Sequence, residues 1–310
     1  MQRNAADGLF TKPSILIRMT DNQHEDEFIV RCKKGDLNLS KRTYIMGVIN
    51  VTPDSFSDGG LFFDPDRALD HALELVDEGA DIVDIGGETT RPCSKPITAE
   101  AEISRVIPVI ERLAPKIDVP ISIDTYKSLV AERAIEAGAE IINDISALNF
   151  DPKIVEIASR HDVPVVLMHI KGTPENMQQN PCYESLISEI IEYLKDSIEM
   201  AEKAGIDPHK IIIDPGIGFG KSLDDGHNLK IINRLSEFKS LGKPILVGPS
   251  RKAFIGKILD ADVTQREEGT AAAVSAAVLN GANIVRVHNV GMIKKVVRVI
   301  DAIKNEIVNR

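Results

Sequence analysis

Short β-branched runs alternate with longer stretches of helical apolar spacing eight times over from Tyr44 onward, and this alternation predicts a single closed (β/α)8 barrel. Most of the strand candidates are continuously apolar for four or five residues, as parallel strands buried on both faces are. Polar residues gather at the C-terminal ends of those strands, where such barrels carry their active sites. A doubly wound open sheet shares the alternation, but the count of eight and the near-regular spacing favour the closed form.

Residues 1–43 precede the repeat and read as a short N-terminal extension, a tail followed by a short hairpin around Glu27 to Leu39. Residues 44–310 are assigned to the barrel. Its strands are expected to begin near Tyr44 (YIMGVIN), Asp81 (DIVDIG), Val119 (VPISID), Glu140 (EIIND), Val163 (VPVVLMH), Lys210 (KIIIDPG), Lys243 (KPILVG) and Ala282 (ANIVRVH). The segments between them read as helices, as in DPDRALDHALELVDEGA from Asp64, with Pro65 near the start and Gly79 at the stop. EGAD, AGAE and NGAN repeat one device, a glycine where a helix gives way to the next strand.

A chain of 310 residues has room for one barrel of about 250 residues and an extension. The apolar fraction of 43% and charged fraction of 27% are those of an ordinary globular protein. No apolar run reaches the ~18 residues of a membrane span, and MQRNAADGLFTKP lacks the apolar stretch of a secretory signal, so a cytoplasmic location without membrane partners is expected. Cys32, Cys93 and Cys182 show no C-x-x-C spacing, which suggests free thiols rather than a disulfide framework or zinc site. A formal charge of -10 argues against nucleic acid as a partner, and any anionic ligand must be held by a local cluster.

The strand ends supply such a cluster: Asn50, Glu88 with Thr90 and Arg91, Asp124, Asn143, His169, Asp214, Ser250 with Arg251 and Lys252, and Arg286 with His288. Singly, each has an ordinary role: Asp at a strand end caps helices, a histidine completes a polar layer, Lys and Arg sit solvated in loops. Convergence of carboxylates, an amide, a lysine and an arginine in one concave site is what points to ligand binding. DPGIGFGK (Asp214 to Lys221) is glycine-rich but lacks the G-x-x-x-x-G-K-[ST] spacing of a nucleotide loop. The segment from Val51 to Asp64, which holds SFSDGG, exceeds an ordinary barrel connection and suits a lid.

The motifs MGVINVTPDSFSDGG, DIGGETTRP, SIDTYK, IND, LMHIKGTPENMQ, DPGIGFGK, SRKAFIG and RVHNV occur in an order that resembles the dihydropteroate synthases, from Tyr44 onward. The resemblance implies condensation of dihydropterin diphosphate with para-aminobenzoate, which releases diphosphate, with Mg2+ as cofactor and a homodimer as the assembly. Asp214, Asp124, Asn143 and Lys252 resemble ligands of the pterin, with Met168 and Phe219 as apolar contacts and Gly248 and Ser250 as further substrate contacts. Arg286 and His288 resemble ligands of the diphosphate, aided by a helix expected to begin near Gly291; Asn50 and Thr90 resemble ligands of the diphosphate or its magnesium ion. Phe56, Asp58 and Arg91 resemble residues of two mobile loops that close on the amine, and the catalytic set implied is Asp58, Arg91, Lys252 and Arg286. Ser250, read as opening a helix, falls near the aminobenzoate carboxylate.

Cys93 and Ser94 stand where the family usually has glycine, and Asn289 where it usually has aspartate. The first departure bears on loop closure and sulfonamide affinity, the second on a hydrogen bond that orients the last strand. A pterin-dependent methyltransferase and an idle pterin-binding protein are the alternatives. The methyltransferase reading leaves Arg286, His288 and the SRK motif without a purpose.

Overall fold

The structure, a computed structural model, describes residues 28–52 and 65–307. Two short strands, β1 (Ile29–Cys32) and β2 (Gly35–Asn38), form an antiparallel hairpin. Eight parallel strands follow: β3 (Tyr44–Asn50), β4 (Ile82–Gly86), β5 (Ile121–Asp124), β6 (Ile141–Asp144), β7 (Val165–Met168), β8 (Ile211–Asp214), β9 (Leu246–Val247) and β10 (Ile284–Val287). Their order, β8-β7-β6-β5-β4-β3-β10-β9, leaves β8 and β9 at the two ends, and a parallel bridge from Ile213 to Ile245 joins those ends into a ring. The expected barrel is therefore observed. β9 is short because Pro244 precedes it and Gly248-Pro249 follows, so few ladder donors remain.

Helices cover the outside of the ring: α1 (Pro65–Asp77), α2 (Ala99–Leu113), α3 (Ser128–Ala137), α4 (Lys153–His161), α5 (Leu186–Lys203), α6 (His227–Asn233), α7 (Ala253–Leu259), α8 (Glu267–Leu279) and α9 (Val290–Asn305). β9 and β10 are separated by two helices, α7 and α8, instead of the single one the repeat suggests. The helix-ending glycines behave as their spacing implies. Gly138 caps α3 at φ +118, its amide bonds Ala134 O and Ile135 O, and a Cβ there would stand 2.7 Å from the Ala114 side chain. No helix among the described residues is long and apolar enough to cross a membrane.

Side chains alternate along each barrel strand, and the two phases enter different cores. Ile45, Val83, Ile142, Val165, Ile213, Val247 and Val285 join the large cluster that the outer helices cover. Tyr44, Met46, Ile82, Ile141, Val166, Ile212, Leu246 and Ile284 form a second cluster inside the ring, and Val30, Leu37 and Leu39 of the hairpin segment pack against it. The hairpin thus plugs the end of the barrel at which the strands begin. Lys34 fastens it there, its ammonium donating to Ala114 O at 2.7 Å and Ile117 O at 2.6 Å, and its amide to Glu140 Oε2 at 3.0 Å.

Candidate active site

Two residues beyond the apolar interior layer, in the same inward phase, the strands change character. Asp84 follows Ile82, Asn143 follows Ile141, Met168 follows Val166, Asp214 follows Ile212, Gly248 follows Leu246 and Arg286 follows Ile284. Asp124, at the end of β5, pairs in register with Gly86 on one side and Asn143 on the other. Glycine at position 86 makes room for it, because a Cβ there would stand 3.4 Å from the Asp124 Cβ.

Arg286 ties this layer together. Its Nε donates to Asp84 Oδ2 at 2.6 Å and its Nη2 to Asp124 Oδ2 at 2.7 Å, while Asn143 Nδ2 donates to the same Asp84 oxygen at 3.2 Å. Nη1 of Arg286 has no hydrogen-bond partner among the described residues. Asp84 is fully buried, and its Oδ1 has no hydrogen-bond partner among the described residues. The sequence reading gave Asp84 no role; the available signal was a charge inside the apolar run DIVDIG, in the inward phase.

Burial pushes the Asp124 carboxyl up to about 7, with Arg286 opposing and Asp84 assisting. Burial also raises Asp214 to about 6, against the Gly216 amide, which donates to its Oδ1 at 2.7 Å, and against Lys252. Burial lowers Lys252 to about 8, a shift that Arg286 reinforces and Asp214 resists. On Arg286 burial works to lower the pKa, but Asp84 and Asp124 outweigh it and the guanidinium stays charged.

The segment after β8 forms a rigid wall. Gly216 lies at φ +75 with a hypothetical Cβ 1.9 Å from His169 O, so only glycine fits. Lys221 is fully buried, and its ammonium contacts His169 Nδ1 at 2.9 Å, Phe219 O at 2.8 Å and Gly216 O at 3.1 Å. Burial lowers its pKa to about 7. Gln178 Nε2 donates to Gly218 O at 2.7 Å and Tyr183 Oη to Gly220 O at 2.7 Å, which fixes the wall from the β7 side. The Phe219 ring lies 4.2 Å from the Lys252 ammonium, a cation–π contact. In the sequence Lys221 is only the last residue of a glycine-rich motif, and its internal role has no sequence signal.

Ser250 and His288 meet across β9 and β10, with Ser250 Oγ 2.9 Å from His288 Nδ1. Burial and neighbouring Arg286 depress His288 to about 3, so it is neutral near pH 7. Ser250 does not open a helix: α7 starts at Ala253, with Lys252 as its N-cap in extended geometry. The last helix starts at Val290, and two of its first amides are occupied internally, Met292 N by Asn289 Oδ1 at 3.0 Å and Gly291 N by Glu78 Oε2 at 3.0 Å. The Asn289 side chain thus caps α9.

Thr90 and Arg91 lie in the segment between β4 and α2, with Arg91 exposed and Thr90 half-buried. Cys93 takes φ +66 there, and its amide donates to Pro174 O at 3.0 Å. A left-handed residue explains why glycine suits the position. Asn50 ends β3, half-buried and paired with Gly86. Phe56 and Asp58 lie outside the described residues. No group of three His, Cys, Asp or Glu side chains among the described residues could hold a metal by itself.

A closed barrel whose C-terminal mouth holds three carboxylates, an amide and three buried or half-buried cations defines a (β/α)8 enzyme suited to a flat ligand rich in donors and acceptors. Residues 46–288 match the family model described as pterin binding enzyme. The dihydropteroate synthase of Bacillus subtilis (strain 168) is 46% identical over 278 residues, 90% of this chain and 94% of that protein. Among solved structures, the Yersinia pestis dihydropteroate synthase with a sulfonamide drug superposes with a TM-score of 0.84 at 41% identity, covering 89% of this chain and 99% of its own. The Xanthomonas albilineans dihydropteroate synthase with 4-aminobenzoic acid does so with a TM-score of 0.84 at 40% identity, covering 91% and 100%. The chain belongs to the pterin binding enzymes and, among them, to the dihydropteroate synthase family.

Proposed function

We infer that this chain is a transferase of folate biosynthesis, joining 6-hydroxymethyl-7,8-dihydropterin diphosphate to para-aminobenzoate to give 7,8-dihydropteroate and diphosphate. The observation that carries this reading is the buried layer in which Asp124, Asn143 and Asp214 share one barrel mouth with Lys252 and Arg286. A pterin presents paired N–H donors on one edge and ring acceptors on another, and this layer offers a partner for each. Asp214 keeps Oδ2 free of protein hydrogen bonds among the described residues and suits the donor edge. Lys252, held against Phe219, suits the ring carbonyl and nitrogen. Met168 and Phe219 supply apolar contact.

Arg286 and neutral His288 are assigned to the diphosphate, with Ser250 close by. Release of diphosphate from the pterin methylene leaves a cation delocalised into the ring; the amine nitrogen attacks it to form the C–N bond and gives up one proton, which the released diphosphate can accept. No protein nucleophile is needed, and the chain's contribution is orientation, stabilisation of the departing anion and exclusion of water. Magnesium usually takes one or two protein oxygens plus substrate phosphates, so Asn50, with Thr90 nearby in sequence to β4, fits a site that needs no protein cage. When bound, the ion would neutralise charge on the leaving diphosphate. Arg91, with Phe56 and Asp58, is assigned to closure over the amine.

The bound 4-aminobenzoic acid of the Xanthomonas albilineans enzyme and the sulfonamide of the Yersinia pestis enzyme support the amine subsite and sulfonamide sensitivity for this chain. A homodimer and a cytoplasmic location complete the proposal. Exposed apolar side chains at Ile258, Leu259, Val263 and Leu279 support self-association. The test is diphosphate release from dihydropterin diphosphate with and without para-aminobenzoate. Amine-dependent release with stoichiometric dihydropteroate is expected; absence of release would favour an idle binding protein or a methyltransferase.

A further inference from the structure

Glu88 opens the segment that carries Thr90 and Arg91, and its carboxylate also closes that segment at the far end. Oε2 accepts the amide of Ile97 at 3.0 Å, so residues 89–96 form a span tied at both ends. Thr89, Arg91, Pro92, Cys93, Lys95 and Pro96 within it are exposed. The carboxylate that ties the span is itself immobilised, with its side chain 6% exposed. Tyr126 Oη donates to Oε1 at 2.6 Å and Lys127 Nζ to Oε2 at 2.5 Å.

Lys127 also reaches Glu102 Oε2 on α2 at 2.5 Å, and the Glu102 side chain is 1% exposed. Tyr126 and Lys127 follow Asp124 at the end of β5, so the base of the Arg91 segment is fastened to the turn beside the pterin pocket. One ammonium shared by two carboxylates is an arrangement that burial penalises, raising the Glu102 carboxyl above its ordinary range, and that packing alone does not call for. Lys127 with Glu102 alone would have been neutral.

We propose that Glu88 and Lys127 act as a clasp that sets the position of the Arg91 segment for the amine substrate. They are positioning residues and touch no substrate themselves. The proposal rests on the reading above that Arg91 closes over the amine. A span tied at both ends has less chain freedom to lose when the amine binds, so the clasp lowers the cost of closure. Because its anchor, Tyr126 and Lys127, stands two and three residues after Asp124, occupation of the pterin pocket and placement of the amine loop share one piece of backbone.

The test compares wild type, Glu88→Gln, Lys127→Met, Lys127→Arg and Arg91→Ala by steady-state kinetics in the amine, together with calorimetric titration of a pterin lacking the diphosphate. Glu88→Gln and Lys127→Met are expected to raise KM for para-aminobenzoate about tenfold, inside the range found for coupled sites, with pterin affinity unchanged. Lys127→Arg should restore most of the loss, since a guanidinium can hold two carboxylates at once. An unchanged amine KM in Glu88→Gln overturns the clasp, as does a parallel loss of pterin affinity, which would mark a merely structural cluster. Glu88→Gln keeps an acceptor for Ile97 and decides the matter if Lys127→Met fails to fold. If Arg91→Ala leaves the amine KM unchanged, the underlying reading falls and takes the clasp with it. If Arg91→Ala raises it while Glu88→Gln does not, the clasp alone falls.

Discussion

The inside of this barrel holds two layers built by the same strands in the same phase, one dry and one charged. At Ile82, Ile141, Ile212 and Ile284 the inward positions are apolar and fully buried, and the hairpin residues Val30, Leu37 and Leu39 close them off from water. Two residues further along, Asp84, Asn143, Asp214 and Arg286 occupy the same phase and bond to one another or to loop amides. The same strands lead into both, and the residue chemistry differs. The comparison teaches that burial alone does not locate function in a barrel interior, because the strand ends at which each layer sits decide whether it serves packing or ligand.

Hollowing out the lower layer separates the two layers most visibly. Ile212→Ala should destabilise the fold by about 2–5 kcal/mol in urea unfolding, as large-to-small core changes do, while pterin affinity of the folded protein stays within about twofold. A large loss of affinity without loss of stability would show that the two layers are not separate.

A pH experiment sharpens the contrast from the other side. Asp124 is raised to about 7 in the folded chain, mainly by burial, so the folded state holds a proton there that the unfolded state has lost. Its contribution to stability therefore falls as pH rises from the ordinary carboxylate range, roughly 4, toward 7. Depressed His288, at about 3, pulls the opposite way over much of that window, so the wild-type curve alone does not isolate the effect. Asp124→Asn removes the Asp124 slope and leaves that of His288. Its stability relative to wild type should climb steadily between pH 4 and pH 7 in a series of unfolding titrations; a constant difference would mean that Asp124 ionises normally.

The smallest effect is expected away from both layers. Cys93→Gly relieves a left-handed backbone at φ +66, about 1 kcal/mol, but adds unfolded-chain freedom worth about 0.5–1 kcal/mol. The melting temperature should barely move. A clear drop would show that the Cys93 side chain packs in the loop.

Much of the fold was legible because continuous Val and Ile runs have one reading when helices separate them, and all eight strands lie where those runs stand. Strand ends told where Asp124, Asn143, Asp214 and Arg286 would converge, since a parallel barrel points every C-terminal end the same way. Asp84 showed only as a charge inside an apolar run, and its role was hidden because its partner Arg286 is 202 residues away. Lys221 was hidden for a different reason, because its partners are two backbone carbonyls and a ring nitrogen, which leave no charged complement in the sequence. The role of the hairpin as a plug depends on which end of the barrel it meets, and local alternation carries no such information. The helix start expected near Gly291 falls at Val290, whereas the one expected at Ser250 lies three residues later, at Ala253, because Ser250 and Arg251 form a turn with Arg251 in left-handed backbone.

One titration distinguishes the charged layer, as the pterin site, from the dry layer below it. Calorimetry of a pterin lacking the diphosphate into wild type and Asp214→Asn asks whether the carboxylate that ends β8 faces the donor edge of the ring. The substitution puts a donor where an acceptor is needed, and affinity should fall by about 1–3 kcal/mol with the unfolding midpoint preserved. Equal affinities in the two proteins would contradict the account and remove Asp214 from the pocket.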